Sequence, residues 1–182
     1  MQTAGRALID PYKIFEKIGL SAGMRVADMG CGRTGHFVFP AARTVGNKGI
    51  VYAVDILKDV LQSLGSWIRS EGLENVQTIW SDIEKFKKTP IPEKSLDVCF
   101  FMNVVSHLKD KNSAIAEAAR LIKDDGQVVV VDWSKGLGSL GPKEGVSGDA
   151  HLIVELAQNN GLRLLENYSC SDYHYCLLFK KS

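Results

Sequence analysis

A chain of 182 residues that is 45% hydrophobic and 24% charged can bury one full core and shows no compositional sign of disorder. Its net charge of +1 excludes the broad positive field that gathers nucleic acid or anionic membrane. The opening MQTAGRALIDPYK lacks a basic stretch followed by an apolar one, so no secretory leader is expected, and apolar runs such as VVVV at 128–131 are far too short to span a bilayer. Four scattered cysteines fit a reducing, cytoplasmic setting.

In chain order, the first expected element is a helix within residues 1–20, with Asp10 as N-cap, Pro11 at its first position and Gly19 as its stop. Strands are expected at RVADM (25–29), IVYAVD (50–55), VQTIW (76–80), LDVCFFM (96–102) and QVVVVDW (127–133). Between them the apolar spacing predicts helices over HFVFPAARTV (36–45), LKDVLQSLGSWIRSEG (57–72) and NSAIAEAARLI (112–122). A Gly/Ser-rich stretch at 134–149 reads as either a lid loop or a plain surface connector, and a helix follows over HLIVELAQNN (151–160). The last two runs, LRLLENYS (162–169) and YHYCLLFK (173–180), are separated only by Cys170, Ser171 and Asp172, so they must pair antiparallel. Strands alternating with helices predict a doubly wound, Rossmann-like α/β sheet in three layers, closed by a hairpin that inserts one reversed strand. One domain over 1–182 is expected.

The loop VADMGCGRTG carries Gly30, Gly32 and Gly35 at G-x-G-x-x-G spacing, the pattern of a loop approached closely by a nucleotide. Asp55 ends the second strand about 20 residues after Gly35, where a carboxylate can grip a ribose diol. Asp28, however, sits two residues before Gly30, where it repels a pyrophosphate and attracts a cation. In WSD, Asp82 is placed to accept from an adenine amine and the Ile83 N–H to meet a ring nitrogen. None of the five tyrosines is followed four residues later by lysine, the pair a short-chain reductase requires. The three observations together point to S-adenosylmethionine rather than NAD.

VADMGCGRTG, VYAVDI, WSDIEKF, DVCFFMNVVSHLKD and LIKDDGQVVVVDW occur in the order and at the intervals found in class I S-adenosylmethionine-dependent methyltransferases, which the chain resembles over nearly its whole length. NVVSHLKD and GLSAGMRVADMGCG are most similar to the ubiquinone/menaquinone-biosynthesis-type branch. The resemblance implies a seven-stranded sheet with the last strand antiparallel. It places Asp28, Gly30 and Gly32 along the methionine part of the cofactor, Asp55 at the ribose, Asp82 with Ile83 at the adenine, Ile56 against the ring, and Asn103 by the methionine amine. The chain departs from the family's D-x-G-x-G-x-G by one residue, Arg33-Thr34 preceding Gly35, which leaves Gly35 the glycine whose role is open.

Methyl transfer needs alignment and water exclusion, with a base only where the acceptor must lose a proton. His107, after the fourth strand, is the candidate base, weighed against a capping role there. His36 reads as packing beneath the loop, and Cys170, His174 and Cys176 as ordinary hairpin positions rather than a metal site. Tyr12 and Phe15 are expected over the same opening. The acceptor is expected to be a small or medium-sized molecule. Nucleic acid is disfavoured by the charge balance, and so short a chain is expected to need a partner, or a second copy of itself as a homo-oligomer, to complete the pocket. The alternatives are a partner-recruited RNA or protein methyltransferase and a noncatalytic cofactor-binding module, with an NAD enzyme more distant.

Overall fold

The computed structural model describes residues 9–134 and 149–181. The expected loop at 134–149 falls almost wholly outside the described residues.

Helix α1 (Pro11–Ile18) begins where expected. Asp10 accepts from the Tyr12 N–H at 3.0 Å, Pro11 opens the helix, and Gly19 closes it with φ 68°. Then follow β1 (Arg25–Met29), α2 (Val38–Val45), β2 (Ile50–Asp55), α3 (Lys58–Ser70), β3 (Val76–Trp80) and β4 (Leu96–Met102). A short 3₁₀ turn (Val105–His107) leads to α4 (Lys111–Leu121), β5 (Ile122–Trp133), α5 (Ala150–Asn159), β6 (Leu162–Ser171) and β7 (His174–Lys181). The first four strands have the expected bounds.

Two expectations are corrected. Helix α2 starts at Val38, because His36 and Phe37 complete the turn out of the glycine loop. Strand β5 starts at Ile122 rather than 127, because Ile122 pairs with Leu96 and residues 123–126 are taken up as an irregularity before Gln127 meets Val98.

Among the described residues the strands form one sheet in the order β3-β2-β1-β4-β5-β7-β6. The first five strands are parallel, and β7 enters antiparallel between β5 and β6. Apolar stripes of α1, α2 and α3 cover one face, with Phe15, Phe37 and Phe100 packed ring on ring. Ala114, Ile115 and Ala118 of α4 and Ile153 of α5 cover the other. Strand order reverses between β1 and β4, so a crevice opens at their carboxyl ends.

Candidate functional site

The buried β1 strand delivers Asp28 to that crevice with only 3% of its surface exposed. Among the described residues its Oδ1 has no hydrogen-bond partner, and burial, reinforced by the negative charge of Asp55, pushes the carboxyl up to about 7. Asp55, at the end of β2, is already engaged. Its Oδ2 accepts from the Gly32 N–H at 3.0 Å and its Oδ1 from the Leu57 N–H at 2.9 Å, which ties the glycine loop to the start of α3.

Each glycine of the loop has its own task. Gly30 has φ 82°, and a Cβ there would lie 2.6 Å from Val104 Cγ2, so the loop and the turn after β4 touch backbone to side chain. Gly32 has φ 65° and open space where a Cβ would go. Gly35 points its open side at Leu64 and Phe39, a packing position against α3 and α2. The preceding Arg33 reaches outward to form an ion pair with Asp59 and to donate to Ser63 Oγ at 3.1 Å, so the extra residue fastens the loop to α3.

Asn103 stands just past β4 at φ 55°, its N–H bonded to the Val131 carbonyl at 2.8 Å and its Oδ1 buried without a partner among the described residues. On the other side of the crevice, Gly30, Asp55, Ile56, Ser81, Asp82, Ile83, Glu84, Val104 and Leu108 enclose a cavity of about 140 Å³. Ile56 is 53% exposed at its mouth, and Trp80 Nε1 donates to the Ile56 carbonyl at 2.8 Å. Asp82 uses Oδ1 to accept the Glu84 N–H at 3.0 Å. The structure thus gathers Asp28, Gly30, Gly32, Asp55, Ile56, Asp82, Ile83 and Asn103 along one crevice.

His107 is placed differently. It closes the 3₁₀ turn, its N–H bonded to the Val104 carbonyl at 3.0 Å, and its side chain is exposed while Val104 and Leu108 line the cavity. His36 contacts the Ile9 carbonyl at 3.0 Å, and Phe15 is buried while Tyr12 is largely exposed. The Cys31 thiol, raised far above its usual range chiefly by burial, stays protonated beside the loop.

Ser81, Val104 and Leu108 were missed by residue-level reasoning, although all lie inside or beside motifs already singled out. Asp132, fully buried at the end of β5, was also missed. It accepts from the Ser106 N–H at 2.8 Å and from Ser106 Oγ at 3.0 Å, and so holds the turn that lines the cavity. Its signal was a lone carboxylate closing the run VVVVD.

A doubly wound sheet with a reversed strand between β5 and β6, and a switch-point crevice holding two acceptor oxygens without partners among the described residues, defines a ligand-binding α/β domain. The chain belongs to the methyltransferase domain family, whose model matches residues 20–166. It is 34% identical over 125 residues to aklanonic acid methyltransferase DauC of Streptomyces sp. strain C5, covering 68% of this chain and 52% of that one. It is 29% identical to the ubiquinone/menaquinone biosynthesis C-methyltransferase UbiE of Shewanella halifaxensis, covering 66% of this chain and 47% of that one. The chain therefore spans about half the length of the curated relatives it matches. A SAM-dependent methyltransferase structure from Aquifex aeolicus shares the fold, with TM-score 0.86 and 24% identity over 96% of this chain and 91% of that one.

Proposed function

We propose that the chain is an S-adenosylmethionine-dependent methyltransferase acting on a small or medium-sized molecule. One observation carries the reading. Asp28 Oδ1 and Asn103 Oδ1, both buried acceptors without partners among the described residues, stand at the carboxyl ends of the adjacent strands β1 and β4. Such a pair favours an ammonium or sulfonium and repels a pyrophosphate. S-adenosylmethionine brings the required positive charge, and the residues present fit it.

In this reading Asp28, Gly30, Gly32 and Asn103 hold the methionine end. Asp55 spends one lone pair of each oxygen on backbone N–H groups and keeps the others for ribose hydroxyls. Ile56 covers the adenine, whose amine meets Asp82 and whose ring nitrogen meets the Ile83 N–H. Gly35 contributes by packing. When bound, the cofactor supplies a methyl group activated by sulfonium, and the chain's own part is to orient the reactants and exclude water. The exposed His107, outside the cavity, is given no proton to move. The relatives named for aklanonic acid and for ubiquinone and menaquinone support a small-molecule acceptor over nucleic acid. A cytoplasmic location belongs to the same proposal.

The test is thermal denaturation with S-adenosylhomocysteine or NAD. At a hundredfold excess over its dissociation constant, S-adenosylhomocysteine is expected to raise Tm by roughly 5–10 °C, and NAD to leave it unchanged. Stabilisation by NAD alone would sink the reading.

A further inference from the structure

Strand β3 is the outer strand of the sheet, with β2 as its one neighbour among the described residues. Its register against β2 runs unbroken from Val51 beside Val76 to Asp55 beside Trp80. The Val51 N–H donates to the Asn75 carbonyl at 2.8 Å, and the Ser81 N–H to the Asp55 carbonyl at 3.1 Å. Peptide groups alternate sides along a strand, so Asn75, Gln77, Ile79 and Ser81 turn theirs to β2. The N–H and carbonyl groups of Val76, Thr78 and Trp80 therefore point out of the sheet. An open edge of this kind invites another strand, and proteins blunt it with charge, proline or a bulge. The opposite edge has two of these defences: β6 carries Arg163 and Glu166, and its register shifts at Leu164/Glu166 and at Ser169/Ser171. The run VQTIW of β3 has none.

We propose that β3 pairs antiparallel with β3 of a second copy of this chain, joining two sheets into one about a two-fold axis at Thr78. The outward groups set that register. Thr78 lies opposite Thr78 of the second copy, and Val76 opposite its Trp80, each pair exchanging both N–H···O bonds. Gln77 and Ile79 meet on the other face.

The side chains suit a copy of the same strand. Trp80 is 59% exposed, and across the axis its ring covers the half-buried Val76, an aromatic ring against a β-branched side chain. The indole is already held, since its Nε1 donates to the Ile56 carbonyl at 2.8 Å. Charge matches as well. Lys58 Nζ stands 4.4 Å from the centre of the Trp80 ring, and Glu74 leads into β3 two residues before Val76. Antiparallel pairing sets the start of one β3 beside the end of the other, so each Lys58 comes near Glu74 of the other copy. Both are exposed, and neither makes an ion pair among the described residues. Asp82, the other charge at that end, lines the cavity. Ile56 lines it too, so the second copy borders the candidate site.

The test is hydrogen exchange followed amide by amide in NMR, from micromolar to millimolar protein, beside sedimentation equilibrium. Sedimentation is expected to show a dimer at the higher concentrations. The Val76, Thr78 and Trp80 amides are expected to gain protection as it forms, while those of Gln77 and Ile79, already turned to β2, change little. Thr78→Lys sets like charges opposite each other and is expected to weaken the dimer by roughly tenfold or more, with unchanged far-ultraviolet circular dichroism. Glu74→Lys is expected to weaken it too, and adding Lys58→Glu to recover it. A wild type that stays monomeric at millimolar concentration overturns the proposal. So does a dimer whose outward amides exchange as in the monomer, because it forms elsewhere. Protection of those amides at every concentration also overturns it, because a segment of the same chain then holds the edge. A charge-exchanged variant that does not recover the dimer rules out the register at Thr78 and the proposal with it. Should Thr78→Lys fail to fold, the wild-type exchange pattern decides. Self-pairing needs no cofactor, so its failure leaves the methyltransferase reading to the thermal test with S-adenosylhomocysteine.

Discussion

Asp28 lies almost fully buried with one carboxylate oxygen unpaired, and Asp55 beside it has both oxygens engaged by backbone N–H groups. The consequence is a linkage between protons, folding and binding. The Asp28 carboxyl titrates at 3.8 when unperturbed and at about 7 in the fold, so the native chain retains a proton that the unfolded chain releases. The stability this contributes is complete below the lower value and is lost as pH rises through the upper one. Asp28→Asn should therefore be less destabilised than the wild type on going from about pH 5 to about pH 8 in urea denaturation. Binding has the opposite sign, because a cationic ligand needs the ionised form. Calorimetry with S-adenosylhomocysteine should show wild-type affinity rising up to tenfold per pH unit below about pH 7 and levelling above it. The asparagine variant should bind at least tenfold more weakly with little pH dependence. A wild-type affinity that does not change with pH would show that Asp28 does not meet the ligand's charge.

The short connections after β2 and β4 shape the crevice more than the helices do. The start of α3 has no side-chain cap from Leu57, and Asp55 supplies the missing acceptor for the Leu57 N–H. The 3₁₀ turn is held in the same way from outside, by Asp132 on the neighbouring strand. Removing that carboxylate frees the turn that carries Val104 against Gly30 and Leu108 against the cavity. Asp132→Ala should leave the far-ultraviolet circular dichroism unchanged and weaken S-adenosylhomocysteine binding by roughly tenfold, the equivalent of about 1.4 kcal/mol. Unaltered affinity would mean that the turn keeps its position without the carboxylate.

For the molecule as a whole, the reversed β7 is an interior strand, paired to β5 on one side and to β6 on the other. The end of the chain therefore completes the sheet and both of its covering layers. Phe179, fully buried, lies opposite Val128 of β5 and Leu164 of β6 and packs in the core shared with α4 and α5. Phe179→Ala should cost about 3–5 kcal/mol in urea denaturation through lost burial and the cavity left behind. A loss under about 1 kcal/mol would show that the hairpin is peripheral to the cooperative unit.

Much of this was legible in the residues. Apolar runs flanked by glycine or polar residues marked β1, β2 and β4 to the residue, since burial on both faces selects the same side chains wherever it occurs, and the β-branched and aromatic run VQTIW marked the exposed edge strand β3. The three residues between the last two runs forced a hairpin, and with it the reversed strand. The candidate residues at the crevice were legible because loop chemistry after parallel strands is local. The early start of β5 was not legible, since residues 123–126 are polar and only pairing with β4 draws them into the strand. Nor was the division of labour between two aspartates of the same chemistry. Asp55 is occupied by backbone donors while Asp28 is left unpaired and desolvated, and this depends on which amides the folded loop turns toward each one. The sequence by itself determined the order of elements, the reversed strand and the set of candidate residues, because dihedral preference and periodic burial are properties of short stretches. Only the tertiary structure decided which oxygens stay unpaired among the described residues, that Gly35 packs against α3, and that Asp132 holds the turn. Desolvation and hydrogen-bond partnership come from neighbours distant in the chain.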